Sequence, residues 1–369
     1  MMNPDGTLHV GINGRAFSVE EPGGAVQKSI LLTNGLTSNS GIATTVYGHE
    51  NATDVVSFTN YDSRFYASDS QLYGIIWETI LAPTFTLSDI DVFFCPNSNP
   101  PLINAGVPTV VVFDDLAPER GWSKGYQKLY REHVVKNSLR TVDAYITVSE
   151  FSKSELCELY DVNPGDVHVV HNGIDSTFLS DSKGEEIDLP EDYVLFTGAM
   201  NPRKNITRVI DSFVKFKQES ALPHELVLVG PSNKSTFKNF DANVDSRSDI
   251  HVTGFLSKPK LKYVYSEASA FVYPSLYEGF GLPPVEAMAS GTPVVVSKTT
   301  SIPEVVGEAG IFVDPNDTDS IVDGLYRVLS DEQKRRELIN SGKKRAEKYT
   351  WQSAVEKTKD ILEDVAQQR

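Results

Sequence analysis

Cysteine is nearly absent from this sequence: Cys95 and Cys157 are the only two in 369 residues, and they lack CxxC spacing. This scarcity argues against a disulfide framework and a cysteine zinc site, and it fits a reducing compartment. No run of 18 or more apolar residues occurs, which argues against a membrane-spanning helix. The N-terminus MMNPDGTLHV has neither the basic start nor the apolar stretch of a secretion signal. We expect a cytoplasmic protein.

Basic residues are also scarce relative to acidic ones. The 34 Lys and Arg residues face 50 Asp and Glu residues, which gives a formal charge of -16. Phosphate backbones and anionic lipid surfaces attract basic proteins, so no nucleic-acid partner is expected for the molecule as a whole. Local basic patches remain compatible with this balance.

Several catalytic motifs are missing. The sequence has no GxGxxG, no Walker A lysine motif and no GxSxG, and its seven histidines form no ligand cluster. Two DxD spacings occur, but Asp89 to Asp91 lies at a strand entrance and Asp317 to Asp319 resembles a helix N-cap. We therefore predict no metal site.

The chain does contain alternating strand and helix patterns. Its length exceeds one hydrophobic core, and short β-branched runs such as LHVGIN and PTVVVFD alternate with helical stretches in both halves. Near-continuous apolar strands separated by helices predict α/β structure with parallel sheets covered on both faces. We predict two Rossmann-like, doubly wound domains at 1–180 and 190–350, separated by a polar segment at 176–190.

The C-terminal stretch 351–369 has a long apolar stripe that needs a partner surface. The residues at helical spacing are Trp351, Ala354, Val355, Thr358, Ile361, Leu362 and Val365. Doubly wound sheets bind ligands outside the carboxyl ends of their strands, so the strand-to-helix loops are the places to search for function.

Two such loops have features of an anion site. Gly23 and Gly24 precede a helix start, where glycines let backbone N–H groups approach an anion, although a plain flexible turn explains them equally well. In the second half, Arg203 and Lys204 stand at the next helix start and offer a fork and a point charge to a phosphate. The alternative is an ordinary solvated pair of cations.

The stretch SLYEGFGLPPVEAMASG places Glu278 and Glu286 around two glycines and two prolines. Pro283 and Pro284 suit the first turn of a helix, so the amides of 279–282 are the ones that can face a ligand. The two carboxylates can accept hydrogen bonds from vicinal hydroxyls of one ligand. Alternatively, Glu286 is a first-turn acid that complements the helix dipole, or the pair is that of a glycosidase.

Together these stretches resemble family-4 retaining glycosyltransferases, which have the GT-B fold of two Rossmann-like domains facing a central cleft. The resemblance is carried by YEGFGLPPVEAMASGTPVVVS and SIPEVVGEAGIFVDPND, and by WETILAP, DVFFCPNSNPPL, VDAYITVSEFSKSEL, VVHNGID and FTGAMNPRKN in the family's usual order. It covers most of the chain and is similar in particular to mannosyltransferase-like enzymes of polysaccharide biosynthesis.

The resemblance implies a role for each acid and each cation. Glu286 would bind the ribose hydroxyls of a nucleotide sugar, and Glu278 would hold hydroxyls of the transferred sugar. Arg203 and Lys204 would bind the diphosphate. Backbone amides would assist them, namely those of Gly279, Phe280, Gly281 and Leu282.

Further residues follow from the same resemblance. Phe255 and Leu256 would line the nucleobase site, while Gly23 and Gly24 would approach the diphosphate from the first domain, the acceptor-binding one. The helix at 351–369 would pack back on that domain. The donor would be GDP-mannose or, second, a UDP-sugar, the acceptor a glycan or a lipid-linked sugar, and no cofactor would be needed.

The sequence departs from the family pattern at three points. Asp114-Asp115 stand where a His-Asp pair is common, so Asp114 either takes over the acceptor-side role or caps the following turn. Ala199 replaces an arginine, and Pro284 replaces a residue that keeps its N–H.

Two other functions and one question about a helix remain open at this stage. Instead of a glycosyltransferase, the protein would be another GT-B sugar-nucleotide enzyme such as an epimerase, or an inactive nucleotide-sugar-binding subunit of a glycosylation complex. The basic amphipathic stretch KGYQKLYREHVVKNSLR either contacts the inner face of a membrane peripherally or faces solvent with its basic side.

Overall fold

The computed structural model describes residues 7–18, 24–48, 56, 60–62, 71–81, 84, 90–104, 106–122, 126–230 and 247–368. The chain forms two compact units. The first comprises Met1–Gly173 together with Trp351–Arg369, and the second comprises Ile174–Thr350.

The first unit is built on a parallel sheet with seven described strands. Their order across the sheet is β3-β2-β1-β4-β5-β6-β7, and all neighbouring pairs are parallel. The strands are β1 (Leu8–Asn13), β2 (Ile42–Tyr47), β3 (Asn60–Asp62), β4 (Val92–Cys95), β5 (Thr109–Phe113), β6 (Ala144–Thr147) and β7 (Val167–Val169).

Helices connect these strands, as parallel pairing requires. They are α1 (Gly24–Thr37), α2 (Gln71–Ile76), α3 (Tyr126–Leu129), α4 (Lys136–Ser138) and α5 (Glu150–Tyr160). Two π-helical segments, Trp77–Leu81 and Tyr130–Val135, continue α2 and α3.

The sheet of the first unit is buried on both faces. In β4, Val92 and Phe94 belong to one apolar cluster, whereas Phe93 and Cys95 belong to another. Strand side chains alternate between faces with a period of two, so the clusters lie on opposite sides of the sheet. This arrangement explains why the strands are continuous apolar runs without polar alternation.

The second unit repeats this architecture with six described strands in the order β10-β9-β8-β11-β12-β13, again all parallel. The strands are β8 (Tyr193–Thr197), β9 (Glu225–Val229), β10 (Ile250–Gly254), β11 (Ala270–Tyr273), β12 (Val294–Ser297) and β13 (Gly310–Val313). Its helices are α6 (Ser176–Leu179), α7 (Ile206–Glu219), α8 (Lys258–Glu267), α9 (Leu282–Ala289), α10 (Ile302–Val306), α11 (Thr318–Leu329) and α12 (Glu332–Ala346).

The last helix, α13 (Trp351–Gln367), returns to the first unit. Val355 and Leu362 lie in the same apolar cluster as Leu32 and Leu36 of α1. The stripe expected from the sequence is therefore buried, and α1 is part of the surface that covers it.

The start of the second unit differs from the expected boundary. The polar segment 176–190 lies inside the second unit, because Phe178 is buried there and its ring packs edge-on against Tyr265 of α8 at 5.8 Å. Lys262 donates from Nζ to the Phe178 carbonyl at 2.7 Å. A composition shift marks this region, but tertiary contacts such as these place it in the second unit.

Among the described residues, Asp317 accepts a hydrogen bond from the Asp319 amide at 2.9 Å, so it is the N-cap of α11, as its spacing indicated. None of the helices in the same described part combines the length and apolarity that crossing a membrane requires.

Candidate active site

In each sheet the strand order reverses at one place. The reversal falls between β1 and β4 in the first unit and between β8 and β11 in the second. Loops leaving the carboxyl ends of such neighbouring strands diverge to opposite faces and leave a crevice, where open α/β sheets bind ligands. In the second unit, the loop after β8 contains Arg203 and Lys204, and the loop after β11 contains Glu278.

The loop after β8 is fixed by asparagines at its two ends. Asn201 caps a short 3₁₀ turn, Pro202–Lys204, by accepting a hydrogen bond from the Lys204 amide at 3.1 Å. Asn205 adopts the left-handed conformation with φ of 61°. Its side chain donates to the carbonyls of Pro274 at 3.0 Å and Pro315 at 2.6 Å, which ties the loop to the ends of two other strands.

The same loop is joined directly to the one after β11. The Leu276 amide donates to the Arg203 carbonyl at 2.9 Å, and Arg203 donates from Nη1 to the Tyr277 carbonyl at 3.0 Å. The two cations predicted from the sequence are therefore held by backbone contacts beside the acidic loop, unlike a mobile solvated pair.

Glu278 lies at the centre of this arrangement and is 5% exposed. Its Oε1 accepts hydrogen bonds from Lys204 Nζ at 2.6 Å, Ser275 Oγ at 2.6 Å and the Tyr273 hydroxyl at 2.9 Å. Its Oε2 lies 3.6 Å from Arg203 Nη1. Three donors saturate Oε1, so Oε2 is the oxygen with room for a further donor.

The electrostatics of this cluster favour an ionised carboxylate. Burial raises the pKa of Glu278, but Lys204, then Arg203, and the hydrogen bonds lower it, and the net result is a pKa below the usual range. One carboxylate faces two cations, so the cluster keeps one net positive charge. Such a charge, fixed in a low-dielectric site, stabilises a nearby anion more strongly than it does in water.

The glycine and proline run after Glu278 forms the start of α9. Gly281 has φ of 100°, and a Cβ there would lie 2.5 Å from Ile302 Cδ1, so the position requires glycine. The prolines fall in the first turn of α9. Ser301 donates from Oγ to the carbonyls of Glu278 at 2.9 Å and Phe280 at 3.0 Å. These hydrogen bonds fix the backbone of the loop.

The remaining residues of this run have different positions. Gly279 and Phe280 are buried, and Phe280 packs edge-on against Tyr349 with ring centroids 5.3 Å apart. Leu282 is the first residue of α9 and is half-buried. Phe280 is therefore an anchor for the loop, and the amide of Leu282 lies at the helix start.

Glu286 is placed differently from its prediction. It lies in the second turn of α9, and the first turn has no acidic residue, so the helix-dipole alternative is wrong. The Tyr265 hydroxyl donates to Oε2 at 3.1 Å. Burial raises the pKa of Glu286 to about 7, against an opposing effect of that hydrogen bond. Glu278 and Glu286 therefore have separate partners and opposite pKa shifts.

The other predicted nucleotide residues are only partly located. Phe255 follows β10 and Gly254, and it is 80% exposed, while Leu256 is half-buried. Gly24 is the exposed first residue of α1, and a Cβ there would meet nothing within 4 Å. The protein itself therefore does not require glycine at this position. Gly23 lies outside the described residues.

Asp114 follows β5 in the first unit and forms an ion pair with Lys28 of α1, which is 4% exposed. Burial lowers the pKa of Lys28 to about 7, an effect that the charge of Asp115 opposes. The turn after β5 is capped by Asp115, which accepts from the Ala117 amide at 3.1 Å. The turn-capping alternative thus applies to the second aspartate of the pair and leaves Asp114 facing a buried cation.

The sequence interpretation missed a second buried acid, Glu78, in the π-helical segment after α2. It is 1% exposed, and Arg15 lies 2.5 Å from its Oε1. Further donors to it include the Tyr130 hydroxyl at 3.2 Å and Asn99 Nδ2 at 3.4 Å. Burial raises the pKa of Glu78 to about 7 despite Arg15. The stretch WETILAP carried the family resemblance, but no spacing rule assigned a role to its glutamate.

Tyr130 and its neighbours also settle how the basic amphipathic stretch packs. Tyr130 contacts Glu78, and Leu139 is buried in an apolar cluster of the first unit. Arg131 donates from Nε to Glu119 at 2.7 Å. Leu129 is an exposed apolar residue of this group, at 56%. Much of the apolar face therefore packs inward.

Sequence comparison supports the resemblance over nearly the whole chain. Residues 178–345 match the profile of "Glycosyl transferases group 1", and residues 23–178 match that of "Glycosyltransferase Family 4". The chain belongs to the family-4 glycosyltransferases with the GT-B fold.

Two relatives carry the names of mannosyltransferases. The chain is 32% identical over 244 residues to the O-antigen chain mannosyltransferase B of Escherichia coli, which is 62% of each chain. It is 31% identical over 255 residues to the MMP alpha-(1->4)-mannosyltransferase of Mycolicibacterium hassiacum, covering 68% of this chain and 61% of the relative. The matches thus span about three fifths of these relatives' own lengths.

A solved structure agrees in fold. Anabaena HepE, crystallised in complex with UDP-glucose, aligns with a TM-score of 0.72 at 16% identity and covers 97% of this chain and 100% of the other. At that identity the likeness concerns the fold alone.

Proposed function

We propose that this protein is a retaining glycosyltransferase that moves a mannosyl residue from a nucleotide diphosphate sugar to a glycan or lipid-linked acceptor. GDP-mannose is the first candidate donor and a UDP-sugar the second. The observation that carries the proposal is the cluster of Arg203, Lys204 and buried Glu278 at the strand-order reversal of the second sheet. Two mannosyltransferases among the relatives support mannose, and the HepE complex supports a nucleotide-sugar donor.

The cations act on the leaving group. When the bond between the sugar and the diphosphate breaks, negative charge develops on the diphosphate oxygen. Lys204 and Arg203, already fixed by Glu278 and by backbone contacts, stabilise that charge without reorganising. The amides of Gly281 and Leu282, which precede the two prolines, would add donors at the N-terminus of α9. These groups would take the role that a divalent metal has in other glycosyltransferases, so we propose that turnover needs none.

Glu278 has two tasks in this proposal. Its Oε1 holds Lys204 in place, and its Oε2 accepts a hydrogen bond from a hydroxyl of the transferred sugar. Ionisation of Glu278 suits both tasks, because an ionised carboxylate accepts hydrogen bonds with both oxygens and has no proton to donate. The sugar becomes oxocarbenium-like, the acceptor hydroxyl enters on the face that the diphosphate leaves, and a departing phosphate oxygen takes the acceptor's proton.

Glu286 and Phe255 would bind the nucleoside. Glu286 would accept hydrogen bonds from the ribose hydroxyls, while exposed Phe255 and Leu256 would line the base. Gly23 and Gly24 would approach the diphosphate from the first unit, and Asp114 would face the acceptor. A cytoplasmic location, with peripheral contact at the inner face of a membrane for a lipid-linked acceptor, completes the proposal.

A thermal-shift panel of GDP, UDP, ADP and their sugars tests the donor assignment. A ligand that binds the native state raises its melting temperature, and the rise grows with the logarithm of the ligand concentration relative to Kd. We expect GDP and GDP-mannose to give the largest shifts. A panel without any nucleotide shift would contradict the function itself, whereas a larger shift with UDP would change only the donor. Release of nucleoside diphosphate that depends on an acceptor separates a transferase from an epimerase or an inactive subunit.

A further inference from the structure

A buried tyrosine lies behind the carboxylate that is proposed to bind the ribose. Tyr265 of α8 is fully buried, and its hydroxyl donates to Glu286 Oε2 on α9 at 3.1 Å. Glu286 itself is half-buried, and its Oε1 accepts no hydrogen bond among the residues that the structure describes. The two oxygens therefore differ: Oε2 is bound to the protein, and Oε1 is the oxygen available to a ligand.

The same tyrosine hydroxyl has a second partner at the end of β8. Thr197 Oγ1 lies 2.6 Å from the Tyr265 hydroxyl oxygen, and both residues are buried. A tyrosine hydroxyl has one proton, which Tyr265 donates to Glu286, so the Thr197 hydroxyl is the donor to Tyr265. Thr197 is the last residue of β8, beside the strand-order reversal. Two hydrogen bonds in series thus connect the carboxyl end of a central strand to Glu286.

Packing fixes the ring of Tyr265 in this position. It makes edge-on contacts with Phe178, at 5.8 Å between ring centroids, and with Phe271, at 5.6 Å. Its backbone is joined to the end of α9, because Thr292 donates from Oγ1 to the Tyr265 carbonyl. A ring locked by its neighbours presents its hydroxyl at one place. The hydrogen bond to Glu286 therefore favours one orientation of that carboxylate.

The hydrogen bond also favours the ionised form of Glu286. Burial raises the pKa of this carboxyl to about 7, and the largest effect that lowers it is the hydrogen bond from Tyr265. The charge of Lys258 lowers the pKa further, whereas that of Asp175 raises it, and these two residues pair with each other at 2.6 Å. Burial, and then the charge of Glu286, raise the pKa of Tyr265 well above its usual range, so the tyrosine keeps the proton that it donates.

We propose that Tyr265, held by Thr197, is a positioning residue for donor binding that orients Glu286 so that Oε1 meets the ribose hydroxyls. The inference rests on the proposed function, in which Glu286 binds the ribose of the nucleotide sugar. It adds two buried residues that set donor affinity through another side chain. It also makes donor affinity depend on pH, because an ionised carboxylate accepts hydrogen bonds with both oxygens and a protonated one does not.

Donor binding by Tyr265→Phe tests this inference, since the substitution removes one hydroxyl and keeps the ring. The probe is GDP-mannose, or a UDP-sugar if that binds the wild-type protein more tightly, titrated calorimetrically. We expect the Kd to rise roughly tenfold at neutral pH, as the loss of a hydrogen bond to a charged group implies. The kcat at saturating donor should stay the same, because the ribose lies outside the bonds that change. Thr197→Val should raise the Kd by a smaller factor.

The pH profile separates positioning from a purely structural role. Donor affinity of the wild-type protein should fall as the pH drops through about 7, where Glu286 gains its proton. In Tyr265→Phe the fall should begin at a higher pH, because a hydrogen bond that lowers the pKa of Glu286 is gone. The diphosphate of a nucleotide sugar is esterified at both ends and does not titrate in this range. Glu286→Gln should bind the donor weakly and lose this pH dependence.

Tyr193→Phe is the matched control. Tyr193 on β8 is buried in the same unit, and its hydroxyl donates to a backbone carbonyl, that of Val264, at 2.7 Å. Both substitutions remove one buried hydrogen bond, so both should lower the melting temperature. Only Tyr265→Phe should weaken donor binding and move its pH profile.

Two results would overturn the inference. One is wild-type donor affinity and pH profile in folded Tyr265→Phe, and the other is an equal loss of affinity in Tyr193→Phe. If Tyr265→Phe does not fold, Thr197→Val decides in its place, and wild-type affinity in that variant contradicts the inference. A wild-type protein that binds neither nucleotides nor nucleotide sugars would refute the proposed function and the inference together, whereas donor binding that is the same in wild type and variants would refute the inference alone.

Discussion

Two glutamates, each beside the strand-order reversal of its own sheet, are buried to nearly the same extent and have opposite pKa shifts. Glu278 in the second unit is 5% exposed and Glu78 in the first is 1% exposed. Burial raises the pKa of both. For Glu278, Lys204 and Arg203 reverse that effect, whereas for Glu78 the single cation Arg15 does not.

The difference shows that the number of fixed cations, and not burial, decides the charge of the site. The Glu278 cluster has a carboxylate and a surplus positive charge, which suits a diphosphate. The Glu78 cluster is matched in charge only when Glu78 is ionised, and it keeps the positive charge of Arg15 while Glu78 holds its proton, up to about neutral pH. One architecture thus gives its two buried glutamates different protonation states through one cation more or less.

The largest effect is expected from Lys204→Ala, which removes one of the two cations. It should lower kcat/KM for GDP-mannose roughly 100-fold, by about 3 kcal/mol, the usual cost of losing one charged donor to a transition state. The pKa of Glu278 should rise at the same time, because the cation that lowers it most is gone. Steady-state kinetics with saturating acceptor measures the change.

Lys215→Ala is the matched control for this variant. Lys215 lies on α7, and its ion pairs with Glu219 and Asp319 are solvent-exposed, where such pairs contribute little. Wild-type turnover in Lys204→Ala would refute the assignment of the diphosphate to this cluster and would leave Glu278 as a structural acid.

The next prediction concerns the pH dependence of stability through Glu78. Its folded pKa of about 7 exceeds the usual 4.5. The unfolded chain therefore loses this proton as the pH rises from 4.5, while the folded protein keeps it up to about 7. The stability that Glu78 contributes is full below pH 4.5 and is lost as the pH rises through 7. The difference in unfolding free energy between wild type and Glu78→Gln should fall by about 3 kcal/mol across this window.

Glu278→Gln should give the opposite slope when the free energies of unfolding of both variants are measured by urea denaturation across the same pH range. The folded pKa of Glu278 is depressed, so its contribution is present above pH 4.5 and is lost as the pH falls through the lowered pKa. Parallel slopes for the two variants would remove the distinction between the two sites.

Much of the fold was predictable because the buried strands of a parallel sheet are apolar runs, and the stretches between them have the hydrophobic periodicity of helices. The strands LHVGIN and PTVVVFD are β1 and β5, and the stripe of α13 is buried as its spacing indicated. The boundary was not predictable from composition, since the contacts that bring a polar segment into the second unit, the buried ring of Phe178 among them, are tertiary.

The candidate sites were predictable only in part. Arg203, Lys204 and Glu278 were found because they follow strands in motif-like runs. Tyr273 and Ser275 complete the cluster but read as the end of an apolar strand. Glu78 was missed because its hydrogen-bond partners and its pKa depend on which distant loops meet, and no local spacing encodes that. Glu286 was placed one turn too early, because the helix begins at Leu282 before the prolines.

A smaller effect is expected from Gly281→Ala, at the loop that joins Glu278 to α9. The left-handed backbone disfavours a Cβ by about 1 to 2 kcal/mol, and the added methyl would press on Ile302. Urea unfolding should show a loss of this size. Gly24→Ala is the control, because its Cβ meets open space at the start of α1 and the substitution should be neutral or slightly stabilising. Equal stability of the two variants would mean that the loop relaxes freely.

The smallest effect is expected from EDTA. A leaving diphosphate needs positive charge within a few ångströms, and two cations held by Asn201, Asn205 and Glu278 supply it before the substrate arrives. Removing divalent ions should therefore leave kcat for GDP-mannose unchanged, whereas Lys204→Ala should remain impaired even with Mg²⁺ added. A strict requirement of the wild-type protein for Mg²⁺ would contradict this expectation, because the surplus positive charge of the Glu278 cluster would then be insufficient for the reaction.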